Sequence, residues 1–303
     1  METLTLTQIA NIANLSYENE TTFKNEISKY INDISQNNIA FFNAYETYDI
    51  DSQIYSIEYD NKIIFSVRGT SSKSDILSDL YVFKKKFSDV INTQNKKIYK
   101  NIKVHSGFLQ QYNSIKFFTI TNILKQMWNN KSQEKINVIF TSHSLGAAVS
   151  VLLSTLLKTH FGNKLHITNY LFGCPKIGNN DFIRYYNDII DETYRYVYKN
   201  DIVPRIPKIN YKTTKNRILL GNPNNSNSFN QIFGNVNDHS MLKYVNKFKK
   251  IDSQTKGDAI LKTKLDETKA NDNEHTNHQH IQLREIQDKN DEKLDSINIE
   301  IKE

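Results

Sequence analysis

The chain has 303 residues, of which 38% are hydrophobic and 24% charged, with a formal net charge of +6. This length accommodates one large domain or two modest ones, and the single cysteine, Cys174, excludes an internal disulfide framework and a cysteine-based zinc ribbon. The first 20 residues hold no Lys or Arg and no unbroken apolar run, which is not a secretory-signal pattern, and no stretch reads as a membrane span. The default expectation is therefore a cytoplasmic chain.

Leu6, Ile9, Ala10 and Ala13, then Phe23, Ile27, Tyr30 and Ile31, recur at helical spacing and predict two short helices within residues 3–35. Residues 39–48 read as a strand. Two alternating runs, 53–59 and 62–67, flank Asp60-Asn61 and predict a β-hairpin. Its second arm leads into Arg68-Gly69-Thr70, and Ile76, Leu77, Leu80, Tyr81, Val82 and Phe83 then form an apolar segment with no evident sheet partner. Residues 84–103 form a lysine-rich loop. A helix over 109–129 carries the only tryptophan, Trp128. Strand signals at 137–143, 166–172 and 194–198 alternate with helical ones at 145–157 and 181–190, which predicts a mostly parallel α/β sheet with helices on both faces. Residues 210–237 are turn-rich, and a last helix follows Asp238-His239.

Beyond Phe248 there is no aromatic residue, and residues 251–303 carry 8 Lys/Arg against 13 Asp/Glu, a net of −5. Such a segment buries too little apolar surface to offset its ordering entropy and reads as a disordered tail behind a folded body, residues 1–250. Glu274, His275, His278 and His280 have loose metal-ligand spacing there, for which solvated tail residues are the simpler explanation. The body carries the balance of the charge, +11. That excess fits an anionic lipid or a nucleic acid, but a solvated lysine-rich surface accounts for it more simply. No nucleic-acid recognition motif accompanies it.

The chemistry centres on Asn137-Val-Ile-Phe-Thr-Ser-His-Ser-Leu-Gly-Ala-Ala-Val-Ser150, where a β-branched run ends in small residues and a helical pattern starts at once. Strand, sharp turn and helix is the setting of a nucleophile elbow, with Ser144 as nucleophile and the helix N-terminus directed at it. The first glycine of G-x-S-x-G is Ser142 here, and the pattern alone fits an ordinary strand-to-helix turn equally well. A serine nucleophile needs a base and an orienting acid. Asp201, just past a strand end, and His239, before the last helix, follow Ser144 in the order Ser, Asp, His. Asp201 also fits a turn cap. His105 reads as packing beneath the elbow, and the His143 ring is expected to point elsewhere.

Six motifs together, Ile64-Phe-Ser-Val-Arg-Gly-Thr70, Val104-His-Ser-Gly-Phe108, Ser142-His-Ser-Leu-Gly146, Phe172-Gly-Cys-Pro-Lys-Ile-Gly-Asn179, Asn200-Asp-Ile-Val-Pro-Arg-Ile-Pro207 and Asp238-His239, resemble the class 3, fungal-type lipases of the α/β-hydrolase fold. The resemblance spans roughly residues 40–245. It implies Ser144 as nucleophile, Asp201 as acid, His239 as base, an oxyanion hole from Thr70 and the Leu145 N–H, and Asp79 bracing the oxyanion loop. It implies no metal or organic cofactor and a lipid or phospholipid ester as substrate. The segment after Thr70 is where such lipases carry a lid. Its apolar residues, with Phe87 and Lys84, Lys85 and Lys86, suit docking on an anionic membrane surface, or equally an amphipathic helix covering the core. Triacylglycerol-type hydrolysis is the leading expectation. A phospholipase A1 or lysophospholipase keeps the chemistry, and a non-catalytic lipase-like binding module is the rival of another kind.

Overall fold

The computed structural model describes residues 4–48, 50–69, 84–87, 101–129, 135–208, 210–222, 234–255 and 301–302. Thr70, Asp79, the apolar stretch 76–83 and the tail histidines lie outside them. The strands are β1 (Ile39–Asn43), β2 (Gln53–Tyr59), β3 (Lys62–Val67), β4 (Lys84–Lys86), β5 (Lys103–His105), β6 (Ile136–His143), β7 (Leu165–Phe172), β8 (Glu192–Tyr198), β9 (Arg217–Leu220) and β10 (Ile301–Lys302). The principal helices are α1 (Leu6–Leu15), α2 (Glu20–Glu26), α3 (Ser106–Asn129), α4 (Leu145–Phe161), α5 (Asn180–Ile189) and α6, residues 241–255.

One sheet runs β1-β2-β3-β6-β7-β8-β9-β10. The pairs from β3 through β9 are parallel, whereas β1, β2 and β10 join antiparallel. The expected hairpin is β2–β3. Asp60 and Asn61 both take positive φ, 44° and 56°, as a two-residue turn with the strands' own twist requires. Residues of β3 and β6 alternate between the faces. Phe65, Val67, Val138 and Phe140 pack toward α3, α4 and α5, while Ile64 and Ile139 face α1 and α2. Each such side chain contributes about 1.5–3 kcal/mol by leaving water. A second cluster joins α1 and α6 over β7, β8 and β9 through Ile9, Phe172, Tyr196, Met241, Tyr244 and Phe248.

Several sequence expectations are corrected. The predicted strand over 39–48 ends at Asn43, and Tyr45–Tyr48 form one helical turn. The lysine-rich loop contains β4, which pairs antiparallel with β5, and Phe87 is fully buried against Tyr112 and Phe182 instead of on a lid face. The turn-rich stretch contains β9. The span Leu145–Lys164 is long and apolar enough to cross a membrane, contrary to the sequence reading, but it is 72% buried as the central helix of this fold. The folded body also passes residue 250. Helix α6 continues to 255 because Ile251 extends its apolar face onto the second cluster and Asp252 Oδ2 accepts a 2.5 Å hydrogen bond from Thr7 Oγ1. At the far end of the tail, Ile301 and Lys302 pair with Ile218 and Arg217.

Candidate active site

Strand β6 stops at His143 and α4 starts at Leu145, so Ser144 alone makes the turn between them. It sits at φ 59°, ψ −130°, a conformation that costs about 1–3 kcal/mol in an L-residue and persists only where the surroundings enforce it. Two backbone bonds enforce it here. Ser144 N–H donates to Phe172 O at 2.9 Å, and Ser144 O accepts from Ala147 N–H at 3.1 Å. Close approach of helix and strand does the rest. A Cβ on Gly146 would lie 2.2 Å from Val67 O, so only glycine lets α4 seat against the end of β3.

Ser142, the departure from the usual motif, is fully buried and paired. Its Oγ accepts the Val67 N–H at 3.1 Å and lies 2.7 Å from Ser150 Oγ on α4. The hydroxyl thus ties three elements where a glycine would only make room.

His239 follows a 3-10 turn, Val236–Asp238, and brings its Nε2 to 2.7 Å from Ser144 Oγ. Its Nδ1 lies 2.8 Å from Asp201 Oδ2. A carboxylate at Nδ1 keeps the proton on that nitrogen and leaves Nε2 bare to accept the serine hydroxyl. Asp201 is anchored in turn. Its Oδ1 accepts Val203 N–H at 2.9 Å and its Oδ2 accepts the Tyr244 hydroxyl at 2.6 Å. Asp201 is therefore a turn cap and the partner of His239 at once. Gly173, at φ 59°, clears space for this pair, since a Cβ there would fall 2.8 Å from His239 Cε1 and 2.9 Å from Asp201 Oδ2. Ser144, His239 and Asp201 are 1%, 4% and 0% exposed, so their hydrogen bonds operate out of water.

The sequence reading placed the His143 ring elsewhere, and the structure corrects this. The ring stacks on His239, with centroids 4.4 Å apart and planes 27° off parallel, and its Nδ1 lies 2.7 Å from Tyr17 Oη. Burial, aided by the neighbouring His239, holds His143 well below the usual imidazole range, so it is neutral at neutral pH. Burial also raises the Tyr17 phenol, which remains a donor to Nδ1. Tyr244 and Tyr17 escaped sequence reasoning. Tyr244 has a usable signal, five residues beyond His239 on a helical apolar face, whereas nothing near Tyr17 ties it to a motif 126 residues away. His105 is buried, with its ring stacked on Phe108 at 4.2 Å.

Leu145 is the first residue of α4, and its N–H belongs to the opening turn whose donors have no intrahelical acceptor. Gly69, the last described residue before Thr70, lies against Ser144, a Cβ there being 3.0 Å from Ser144 Cβ. Among the described residues, no group of three or more His, Cys, Asp or Glu is placed to hold a metal ion.

A mostly parallel sheet with a strained serine between strand and helix, followed in sequence by a carboxylate and a histidine that complete its hydrogen bonds, defines the α/β-hydrolase fold. Solved structures agree. A lipase from Rhizopus microsporus var. chinensis superimposes with a TM-score of 0.61 at 23% identity, covering 77% of this chain and 84% of that one. The sequence model of the class 3 lipases matches residues 64–211, so over that span the chain is similar to that family. Among curated relatives, a secreted mono- and diacylglycerol lipase of Malassezia globosa is 28% identical over 189 residues, 61% of this chain and 60% of that protein. A phospholipase A1 of Oryza sativa is 25% identical over 129 residues, 39% of this chain and 33% of that protein. The chain thus spans less than two thirds of either relative.

Proposed function

We propose that this chain hydrolyses carboxylic esters of lipids, of the triacylglycerol type, through an acyl-enzyme on Ser144. The observation that carries the reading is the unbroken run of buried hydrogen bonds from Ser144 Oγ through His239 to Asp201. His239 Nε2 takes the hydroxyl proton as Oγ attacks the ester carbonyl, and Asp201 stabilises the imidazolium that forms. The tetrahedral oxyanion is held by the Leu145 N–H and, in the same reading, by Thr70, with Asp79 bracing that loop. One such donor is typically worth about a hundredfold to a thousandfold in rate. His239 then protonates the leaving alcohol, and water, activated by the same imidazole, releases the fatty acid.

Replacing Ser144 with Ala is expected to abolish hydrolysis of p-nitrophenyl esters and labelling by a fluorophosphonate probe. Undiminished turnover by the folded variant would overturn the assignment.

A second reading keeps the chemistry and takes a phospholipid ester, with the protein held peripherally on an anionic surface. The likeness to the rice phospholipase A1 and the lysine excess of the body favour it. Activity on anionic vesicles that falls with salt, without activity on neutral triglyceride, would select this reading over the first.

A further inference from the structure

Apart from the triad, the outer strands enclose a cavity of about 480 Å³, within the size range of small-molecule sites. It lies between β8 and β9 and the loops that follow β7 and β8. The ionisable side chains lining it are Lys176, Arg195, Lys199, Arg205 and Arg217, all cationic, and among the described residues no carboxylate lines it.

Two of these charges are placed at a cost. Arg195 and Arg217 are direct partners in the parallel ladder of β8 and β9, so their side chains leave the sheet on the same face. Like charges in that relation destabilise a sheet. Arg195 is also only 5% exposed, and its Nε is buried with no hydrogen-bond acceptor. Thr213 Oγ1, on the cavity wall, is likewise buried without a partner. Burial, joined by the charge of Arg217, pulls the Arg195 guanidinium down to about 10, which still leaves it charged at neutral pH. Lys176 is lowered too, by burial and then by the charges of Lys212 and Lys208. Packing alone does not account for this set, because a leucine or methionine would cover the sheet without stranding a guanidinium. An anion with several acceptor oxygens would satisfy the orphaned donors and offset the repulsion together.

We propose that this cavity binds a multiply phosphorylated small molecule, its phosphates seated on Arg195 and Arg217 and surrounded by Lys176, Lys199 and Arg205. The ligand is either a free phosphate ester or the headgroup of a polyphosphorylated lipid, which share this chemistry. No residue of the Ser144–His239–Asp201 run lines the cavity, so binding and hydrolysis are separable.

The test uses the full chain carrying Ser144→Ala, so that turnover of a lipid cannot be mistaken for binding. Calorimetric titration with inositol 1,4,5-trisphosphate is expected to saturate, to weaken as salt rises, and to lose affinity by about tenfold or more in Arg217→Gln and in Arg195→Met. Arg217 is exposed, so its variant folds even if the Arg195 variant does not. Sedimentation with phosphatidylcholine vesicles, with and without phosphatidylinositol 4,5-bisphosphate, separates the sources. Arginine-dependent sedimentation with the phosphatidylinositol 4,5-bisphosphate vesicles assigns the ligand to lipid, and binding to the free trisphosphate without such sedimentation assigns it to solution. Absence of saturable binding to both, or binding unchanged by the substitutions, overturns the proposal. Because the readout is binding by a chain without its nucleophile, that failure would leave the hydrolytic reading standing.

Discussion

At the scale of single residues, His143 explains how a histidine on a short loop holds one orientation. His239 follows a 3-10 turn, with its ring clamped by a hydrogen bond at each nitrogen. Those two bonds fix the ring within a line, and rotation about that line is opposed by the face of His143 stacked against it. The arrangement needs a neutral His143, since His239 becomes a cation in the proposed mechanism and a second cation 4.4 Å away would repel it. His143→Asn removes the stacking face and leaves an amide oxygen to accept from Tyr17. A misplacement of about 1 Å costs on the order of a hundredfold, so kcat is expected to fall by about tenfold to a hundredfold while KM stays near the wild-type value. A variant with unchanged kcat would show that the two flanking hydrogen bonds suffice. The grouping of Ser144, Asp201 and His239 was legible because they follow one another in the order this fold uses, and the structure brings the three side chains into contact. The sequence hid His143 because the direction of a ring beside a one-residue turn depends on Tyr17, which no local pattern connects to it.

Among elements, the contact that shapes the site is the seating of α4 on the end of β3. Gly146 permits it sterically and Ser142 secures it with its bonds to the Val67 N–H and to Ser150. Ser142→Ala would leave a buried N–H and a buried hydroxyl without this partner. A buried donor left unpaired costs about 1–3 kcal/mol, so the urea midpoint should fall with an unchanged m-value. An unshifted midpoint would mean that the serine only fills space. Element type was readable wherever the residues carry their own period, as in the β2–β3 hairpin with Asp60-Asn61 and in the β-branched run of β6. It failed at β4 and β9. Lys84–Lys86 has no apolar alternation and is a strand only because β5 pairs with it, while Arg217–Leu220 is one short run inside an asparagine-rich stretch. Strand formation in such segments comes from the neighbour across the ladder, which a linear reading does not contain.

Over the whole molecule, both ends of the folded body converge on the site from one face of the sheet. Tyr17, just past α1, reaches His143, Tyr244 on α6 reaches Asp201, and Thr7 bonds Asp252 where the two helices meet. The extended α6 therefore belongs to the body, because its aromatic residues roof β7, β8 and β9. This construction makes stability sensitive to acid through His143. Folding buries that imidazole in its neutral form, below the ordinary value of 6.5. Above pH 6.5 neither the folded nor the unfolded chain protonates it, and it contributes no pH dependence. Below 6.5 the unfolded chain takes up the proton first, so the native state loses stability at up to about 1.4 kcal/mol per pH unit until the folded value is reached. Other titrating groups act in wild type and in His143→Asn alike and cancel in the difference between them. Urea unfolding at pH 7.5 and 5.5 is thus expected to show a loss on acidification about 1.4 kcal/mol larger in wild type than in the variant. Equal losses would mean that His143 charges inside the fold, and a ring that charges there could not remain stacked on the histidine that Ser144 depends on.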